Sequence, residues 1–428
     1  EAEGGGGGVC GCGAIGRRGR RDFVLEASTE ESAEALAAGL RGCIDSLGRP
    51  KRLLILVNPF GGKKCATKIF HNEVKPLLDA AGIYYTMQET KYPLHAQEIS
   101  YKLDLMRYDG IVCVSGDGIL VEVVNGLLKR GDWQTAIKMP LGIVPAGTGN
   151  GMSKSLLDSV DETCSASNAV FSIIRGHKQS LDVSTVKQGD AMFFSVLMLS
   201  WGLVADIDIE SEKYRWMGSS RLDFYALIRV IKLRKYHGKV YFVPAPGYEG
   251  YGNPIEQEGN ENTGVHVQCE ENSVTFDHHS YKGPTICFKS SEWRSIEGPF
   301  VSVWLHNVPW ASNDAMPAPE AKFSDGFVDV VMIKDCPKSA LLALLSKLND
   351  GSHVKSPYVM YLKVKAFRLK PGQRVNNPTK GGIIDSDGEV IARGRGTYQS
   401  HEQDHLMAYG PAIQMIVDQG LATVFSPR

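Results

Sequence analysis

The distribution of apolar and polar residues divides the chain into two regions of different character. From residue 49 to residue 180, continuous apolar runs such as RLLILVNP (52–59) alternate with segments of helical spacing. A continuous apolar run is typical of a parallel strand that is buried on both faces. The pattern predicts strands over 53–58, 83–89, 110–115 and 141–144, and helices over about 64–81, 94–106, 118–130 and 149–157. This alternation predicts an N-terminal open, mostly parallel α/β domain with helices on both faces of the sheet.

From residue 181 to residue 428, apolar residues recur at every second position in short segments, among them QSLDVSTVKQ, GFVDVVMIKD and YLKVKAFRLKP. Such alternation is typical of antiparallel strands with one buried face. Helical spacing returns only near 211–235 and 337–349. We therefore expect an antiparallel, β-sandwich-like second domain, whose final segment returns to the first domain.

Two segments lie outside this scheme. Residues 1–48 begin with a glycine-rich stretch that predicts disorder, although helical spacing behind a Ser/Thr cap predicts one helix over 28–47. The Gly-, Asn- and Glu-rich stretch 246–284 has little apolar content and predicts a mobile insert in the second domain.

Composition narrows the possible partners and compartments. The formal net charge of −1 supplies no general attraction to nucleic acid, so we expect no nucleic-acid partner. The nine cysteines include no C-x-x-C pair, which favours free thiols in a reducing, cytoplasmic compartment. The most apolar segment, 192–205, is shorter than the roughly 20 residues needed to span a bilayer, so a buried pair of strands is expected there.

Three glycine-rich loops follow predicted strands of the first domain: NPFGGKK (58–64), SGDG (115–118) and PAGTGNGM (145–152). In an open parallel sheet, ligands bind beyond the carboxyl ends of the strands. Glycines let backbone N–H groups approach a phosphate, and the helix after each loop adds favourable partial charge. One such loop is usually a turn, but three at consecutive strand ends predict a nucleotide polyphosphate site. The spacings match neither a P-loop nor a dinucleotide-binding fingerprint.

A single acid, Asp117, stands between two glycines in the second loop. It would be an ordinary residue in a turn or at a helix N-terminus. Beside bound phosphates, however, a carboxylate can accept the proton of an attacking hydroxyl or help to organise magnesium. The loops therefore make Asp117 the candidate catalytic base.

Acidic residues also follow the apolar run at 192–205. In GLVADIDIESEKYR, the residues Asp206, Asp208 and Glu210 alternate and are predicted to share one face of an extended segment. They could form a solvated strand face. An acid at the mouth of an apolar cleft would also suit a lipid with a cationic head group, whose tail is buried in the cleft.

The segment FYALIRVIKLRKYHGK (224–239) combines aromatic and aliphatic residues with Arg229, Lys232, Arg234 and Lys235. Such a basic amphipathic helix could pack on the sheet, lie on an anionic membrane surface, or bind calmodulin.

Several strings, from about residue 49 to the C-terminus, resemble the diacylglycerol kinase catalytic family and, more closely, its sphingosine kinase (long-chain base kinase) branch. They are LVNPFGGKK, SGDGILVEVVNGL, PAGTGNGM, SWGLVADIDIESEKYRWMGSSR, APEAKFSDGFVDVVMI and DSDGEV. The fourth string is the most specific, because it separates sphingosine kinases from relatives that act on diacylglycerol. The resemblance has a plant-like character, and it implies that residues 1–48 hold the remnant of a longer N-terminal region.

The resemblance implies ATP- and Mg²⁺-dependent phosphorylation of the primary hydroxyl of a sphingoid base, by a protein that associates peripherally with intracellular membranes. Asp117 corresponds to the family's catalytic base, and Asp208, near Leu203 and Val204, corresponds to the carboxylate that receives the substrate ammonium. Asp387 corresponds to the family's magnesium-binding residue. The positions that correspond to nucleotide contacts are Asn58, Gly61, Gly62, Lys63, Thr90, Ser115, Gly116, Glu122, Gly147, Thr148, Gly149, Asn150, Arg215, Arg221, Asp387, Gly388 and Glu389.

Residues 49–180 are thus expected to bind ATP and residues 181–428 to bind the lipid. Three alternatives stay open: a kinase of ceramide or diacylglycerol, a kinase of a small molecule such as NAD, and a non-enzymatic membrane or calmodulin adaptor. Asp208 argues against the first, the apolar run before it argues against the second, and the intact loops with Asp117 argue against the third.

Overall fold

The computed structural model of the chain describes residues 23–62, 64–218, 220–255, 280–397 and 405–428. Most of the predicted insert, 256–279, and the first 22 residues therefore lie outside the described part of the chain.

Eleven α-helices are found in the described residues: α1 Glu30–Ser46, α2 Ala66–Ile69, α3 Lys75–Ala80, α4 His95–Lys102, α5 Asp117–Leu128, α6 Trp133–Ala136, α7 Gly151–Asp158, α8 Ala166–Arg175, α9 Leu203–Glu210, α10 Ser220–Ile231 and α11 Lys338–Ser346. A π-helical turn, Phe70–Val74, joins α2 to α3.

The strands of the same residues are β1 Arg52–Val57, β2 Tyr84–Glu89, β3 Gly110–Ser115, β4 Leu141–Pro145, β5 Lys178–Gln188, β6 Ala191–Ser195, β7 Met198–Gly202, β8 Tyr236–Pro244, β9 Asn253–Pro254, β10 Arg294–Glu297, β11 Ser302–His306, β12 Val328–Ile333, β13 Met360–Arg374, β14 Ile383–Ser386, β15 Glu389–Arg393 and β16 Ile413–Phe425.

The first four strands form the predicted parallel sheet. β1 lies between β2 and β3, β4 follows β3, and all three pairings are parallel. Apolar side chains fill both faces: Leu54 and Leu56 belong to one buried cluster and Leu53 and Ile55 to another. The open parallel α/β architecture is confirmed, because continuous apolar strands need cover on both sides.

Two helices of this region, α6 and α8, were not predicted, and α8 is the longer. Its ends nevertheless carry local signals, because Ser165 caps the first turn through its hydroxyl and Gly176 ends the helix with φ +80°.

The later strands pair antiparallel, as their alternation predicts. Along the sheet the order is β15, β14, β7, β11, β12, β13 and β16. β8 pairs with β13, and β10 pairs with β8. The apolar segment 192–205 contributes the two short strands β6 and β7, and no helix among the described residues is long and apolar enough to cross a membrane.

The last strand connects the two regions. β16 pairs antiparallel with β13 and β5, and its residue Val424 pairs in parallel with Leu141 of β4. The parallel and antiparallel strands therefore belong to one hydrogen-bonded sheet. Because Leu141 is the first residue of β4, the C-terminal strand meets the parallel sheet at the edge opposite the third glycine loop, which follows Pro145.

Two expectations are wrong in detail. The segment 224–239 is not one helix, because α10 ends at Ile231 and β8 begins at Tyr236. Free thiols are found at Cys43, Cys113, Cys164 and Cys336, but Cys287 is disulfide-bonded.

Gly126 sets the distance between α4 and α5. A Cβ atom at this position would lie 2.4 Å from the carbonyl oxygen of Gln97. We expect Gly126→Ala to lower the free energy of unfolding by about 1–3 kcal/mol, because the added methyl group forces the helices apart. Equilibrium urea unfolding measures this change.

Gly39→Ala is the matched control, because a Cβ at position 39 of α1 meets no atom within 4 Å. Since alanine is the better helix former, this control should be neutral or stabilising, by up to about 1 kcal/mol. Equal destabilisation by both substitutions would contradict the assignment of close packing to Gly126.

Candidate active site

The three glycine loops lie in backbone contact. They follow β1, β3 and β4, which are neighbours in the parallel sheet and end at the same edge. A Cβ on Gly147 would lie 2.3 Å from the Cα of Gly116, and a Cβ on Gly62 would lie 3.0 Å from the Cα of Gly147. Residues with side chains would push the loops apart. The glycines therefore bring the three loops to one place.

Two asparagines hold the loops in shape. The side-chain oxygen of Asn58 accepts a hydrogen bond from the Phe60 amide at 3.0 Å. Asn150, with φ +61°, accepts from the Gly147 amide at 2.8 Å and donates to the Gly147 carbonyl at 3.1 Å. The second and third loops lead into α5 and α7, whose N-termini favour a bound anion. Ser115, Gly61, Thr148 and Gly149 lie in the same loops.

Asp117 lies where these elements meet. It is the first residue of α5, and its carboxylate accepts hydrogen bonds from the amides of Gly151 at 2.8 Å and Met152 at 3.0 Å, in the first turn of α7. A Cβ on Gly149 would lie 3.5 Å from the same carboxylate. Burial raises the pKa of Asp117, and the amide hydrogen bonds partly oppose the shift. Each carboxylate oxygen has a second lone pair, so the group retains the capacity to accept a proton.

Two further predicted nucleotide contacts flank the first two loops. Thr90 is buried after β2, and its amide donates to the Val57 carbonyl at 2.8 Å. Glu122 lies in α5, and its carboxylate accepts from the Ala96 amide, at the N-terminus of α4, at 3.0 Å. Burial raises the pKa of Glu122. The hydrogen bond to Ala96 holds α4 against α5, and a nucleotide contact of Glu122 stays a prediction.

Two of the predicted basic residues cannot be placed at the site. Lys63 lies outside the described residues. Arg215 belongs to the 3-10 segment Ser211–Met217, but its side chain is outside what the structure describes.

Residues 203–210 are helical, so the expectation of an extended acidic face is wrong. Gly202, with φ +90°, turns the chain sharply at the end of β7, and α9 begins at the next residue. In a helix, residues four apart share a face, whereas alternate residues do not. Asp206 and Glu210 therefore point one way and Asp208 another.

Asp206 and Glu210 belong to a buried network of charged and phenolic groups. Arg234 donates to the carboxylates of Asp206 at 3.1 Å and Glu210 at 2.8 Å. Tyr236 donates to Asp206 at 2.6 Å, and Tyr225 donates to Glu210 at 2.5 Å. Arg234, expected on a basic surface, instead helps to fix α9 against α10 and β8. Arg229 is also buried, 3.6 Å from Asp206.

Asp208 is left at the border between polar and apolar surroundings. The side chain of Arg221 lies 4.0 Å from its carboxylate and also donates to the Ser211 hydroxyl at 2.8 Å. Val204, one turn before Asp208 on the same helical face, packs against the buried cluster that contains Met198 and Trp304.

Leu203, which was predicted to contact the substrate, packs in a different cluster. Its neighbours there include Val230 of α10 and Leu341 of α11. Val204 thus packs in the buried cluster beside Asp208, whereas Leu203 packs in the cluster formed with α10 and α11.

The turn between β14 and β15 brings a second carboxylate to this region. Asp387 (φ +53°) and Gly388 (φ +87°) form the turn, and Glu389 after them is exposed. The Asp387 carboxylate accepts from the amides of Leu197 at 2.7 Å and Met198 at 2.9 Å. Burial raises the pKa of Asp387 to about 6.

The surroundings of Asp387 allow a test of magnesium binding. The described residues contain no group of three or more His, Cys, Asp or Glu side chains arranged to hold a metal ion. Magnesium in phosphoryl-transfer sites commonly uses one or two carboxylates and completes its shell with water and substrate phosphates. A single carboxylate at position 387 fits that mode of binding.

Sequence reasoning missed two residues next to these groups. Asp385 and Ser200 are opposite each other in the pairing of β14 with β7 and are fully buried. The Ser200 hydroxyl donates to Asp385 at 3.3 Å, and burial together with the nearby carboxylates of Asp208, Asp387 and Glu389 raises the pKa of Asp385 well above its ordinary value. The position of Asp385 two residues before the predicted Asp387 was the available signal.

Comparisons with known proteins show which families this chain resembles. Residues 52–186 match the diacylglycerol kinase catalytic domain, and residues 284–401 match the YegS C-terminal NAD kinase beta sandwich-like domain. A crystal structure of a diacylglycerol kinase from Bacillus anthracis superimposes with a TM-score of 0.55, covering 88% of this chain and 97% of that chain at 18% sequence identity. That similarity establishes the fold.

Two curated relatives are much more similar in sequence. Sphingosine kinase 1 of Arabidopsis thaliana is 58% identical, and sphingosine kinase 2 of the same plant is 56% identical. Each alignment covers 99% of this chain and 85% of the relative. With identity of this extent and the catalytic module in place, the chain belongs to the sphingosine kinase family.

Proposed function

We propose that this chain transfers the γ-phosphoryl group of ATP to the primary hydroxyl of a sphingoid base such as sphingosine, sphinganine or phytosphingosine, and releases the 1-phosphate and ADP. The observation that carries the proposal is the position of the Asp117 carboxylate, which is hydrogen-bonded at the meeting point of three glycine loops. The identity to sphingosine kinases supports the choice of substrate.

In the proposed reaction, residues 49–180 hold the triphosphate on the glycine loops and on the N-termini of α5 and α7. Asp117 accepts the proton of the acceptor hydroxyl, whose oxygen attacks the γ-phosphorus. The bond from the γ-phosphorus to the bridging oxygen breaks, and ADP leaves with that oxygen. Asp387 is the residue that would hold Mg²⁺, which supplies neutralisation of phosphate charge when it is bound. Arg221 would neutralise further charge.

The acceptor would enter residues 181–428 with its ammonium group at Asp208 and its tail beside Val204. The Arg221 guanidinium is 4.0 Å from Asp208, longer than a hydrogen bond, and a carboxylate accepts several partners, so an ammonium group can still bind. Ceramide and diacylglycerol carry no cationic amine, and they would leave this partly buried carboxylate without its counter-charge.

We also propose that the exposed apolar face of α10 rests on a membrane surface, with the rest of the protein in the cytoplasm. Phe224, Leu227 and Ile231 are 41%, 48% and 59% exposed and share one face by their spacing. Arg221, next to Asp208, lies in the first turn of the same helix, so the apolar face borders the proposed lipid entrance. Calmodulin binding is less favoured, because Arg229 and Arg234 point inward and the helix loses basic character.

The substrate assignment is tested with labelled ATP and purified protein, over a panel of sphingosine, phytosphingosine, ceramide, diacylglycerol and NAD. We expect transfer to the two sphingoid bases. Asp117→Asn should lower kcat by about 100-fold to 10,000-fold, because it removes the general base. Asp208→Asn should lower kcat/KM for sphingosine by roughly 30-fold or more, the loss expected when one partner of a desolvated charge pair is removed, while ATP binding is retained.

Asp190→Asn is the control for both variants, because Asp190 is exposed in the turn between β5 and β6. Full turnover by the folded Asp117→Asn protein would exclude the proposed base. Preferential transfer to ceramide or diacylglycerol would exclude a role of Asp208 in binding an ammonium group.

The raised pKa of Asp387 predicts a dependence of stability on pH in the protein without nucleotide. The folded pKa of about 6 exceeds the ordinary value of 3.8, so the folded state binds more protons between these pH values. The contribution of Asp387 to stability is therefore lost as pH rises from about 4 to about 6, by about 3 kcal/mol in total. Asp387→Asn should remove this part of the slope in urea unfolding followed over that range. Parallel slopes for wild type and variant would contradict the assignment.

The membrane proposal is tested by cosedimentation with vesicles, with and without anionic lipid. Leu227→Glu combined with Ile231→Glu should weaken vesicle binding by about tenfold or more, because each change places a charge where the proposal buries an apolar side chain in the membrane surface. Met106→Glu, at an 84% exposed position in the other half of the chain, is the matched control. Unchanged sedimentation of the double variant would contradict the proposal. If the double variant instead lost only calcium-dependent binding to calmodulin and still bound vesicles, α10 would be assigned to calmodulin binding.

A further inference from the structure

The sheet face beneath α9 carries polar side chains in an apolar setting. Ser200 of β7 is opposite Asp385 of β14 on one side and opposite Trp304 of β11 on the other. Side chains opposite each other in antiparallel strands lie on the same face of the sheet. Ser200 and Asp385 therefore share the face that bears Trp304.

Helix α9 covers this face. Its residues Ala205 and Ile209 pack against Ile383, which lies two residues before Asp385 in β14 and thus on the same side of the strand. Val204 packs in the cluster that contains Trp304. The Ser200–Asp385 pair is consequently enclosed between the sheet and the helix that carries Asp208.

The pair is not fully hydrogen-bonded within the protein. One carboxylate oxygen of Asp385, Oδ2, accepts from the Ser200 hydroxyl at 3.3 Å, whereas the other, Oδ1, has no hydrogen-bond partner among the described residues. Both residues have no exposed surface. Buried polar atoms in native proteins nearly always have a partner, so Asp385 Oδ1 calls for one that the protein does not supply, such as an ordered water, an ion or a bound molecule.

The chemistry of the acceptor limits what that molecule can offer. Under the proposed function, the primary hydroxyl goes to Asp117 and the ammonium group to Asp208. Asp385 is close enough to Asp208 for the two carboxylates to interact. The polar groups of a sphingoid base that are left for Asp385 are the hydroxyls on the next carbons of the chain.

We propose that Asp385 and Ser200 are specificity-determining residues that bind a hydroxyl on carbon 3 or carbon 4 of the sphingoid base. The inference rests on the proposed function and adds a second feature of the acceptor that the chain recognises, a hydroxyl close to the amine. The substrate hydroxyl donates to Asp385 Oδ1, and the Ser200 hydroxyl stays bonded to Oδ2. A site built around such a bond discriminates strongly against an acceptor that lacks the hydroxyl, because the carboxylate oxygen is then left buried without a partner.

A second metal site is the less favoured explanation. The described residues contain no group of three potential metal ligands, although Asp208, Asp385, Asp387 and Glu389 are near one another. Asp385 is hydrogen-bonded to the Ser200 hydroxyl, so the pair offers one carboxylate and one hydroxyl, which suit a substrate alcohol better than a metal ion.

The test uses three acceptors with the same 18-carbon chain: 2-aminooctadecan-1-ol, sphinganine and 4-hydroxysphinganine. They carry no further hydroxyl, one on carbon 3, and one each on carbons 3 and 4. In the wild-type chain we expect kcat/KM to rise by about tenfold or more at the step that adds the recognised hydroxyl. In Ser200→Ala combined with Asp385→Ala, this increase in kcat/KM, called the step below, should shrink to about twofold or less. Whether the step occurs between the first and second acceptors or between the second and third identifies the carbon whose hydroxyl is bound.

Two further variants separate recognition from folding. Asp385→Asn keeps an acceptor oxygen and the shape of the side chain, so it should retain most of the step. Ser184→Ala removes another fully buried hydroxyl that has no hydrogen-bond partner among the described residues, in β5 away from α9, and should leave the step unchanged. Thermal unfolding and KM for ATP show whether each variant is folded. If the double variant does not fold, the single variant Ser200→Ala takes its place.

Equal turnover of all three acceptors by the wild-type chain, or an undiminished step in Ser200→Ala and the double variant, would overturn the inference and leave water as the partner of Asp385. Absence of transfer to all three acceptors would overturn the proposed function instead.

Discussion

Direct backbone contact between three glycine loops is the constraint on which the rest of the site depends. Gly147 lies against Gly116 at a distance that leaves no room for a Cβ atom, and Gly62 lies in tight contact with Gly147. This contact places the N-termini of α5 and α7 side by side, and the Asp117 carboxylate connects them through two hydrogen bonds. Phosphoryl transfer depends mainly on positioning and charge, so a rigid arrangement of amides around one acid is well suited to it.

The acceptor side is organised by a buried network of charges. Asp206 and Glu210 bind Arg234, and this fixes the rotation of α9 about its own axis. Asp208 is thereby held on a different face, above the apolar cluster that Val204 joins. Each member of the network compensates a charge that would otherwise be costly to bury, so the helix has one favourable orientation. The proposed selectivity for an amine follows from that orientation.

Continuity of the sheet relates the two halves to each other. β16 joins the antiparallel strands to β4, and the turn at Asp387 is bonded to the amides of Leu197 and Met198. Groups proposed for the nucleotide and groups proposed for the acceptor therefore belong to one hydrogen-bonded sheet. Relative displacement of the two sets would require breaking hydrogen bonds in the middle of the sheet, which is unfavourable.

The sequence by itself determined the parallel and antiparallel regions and the three loops, and it made Asp117 a candidate, because period-two and continuous apolar patterns and glycine turns are local signals. It also indicated Asp208 and Asp387, through the resemblance to a family. Only the tertiary structure decided that residues 203–210 are helical, that Arg229 and Arg234 face inward, and that Ser200 meets Asp385. These outcomes depend on contacts between residues far apart in the chain. Burial and pairing are properties of such contacts, and the spacing of residues along the chain does not encode them.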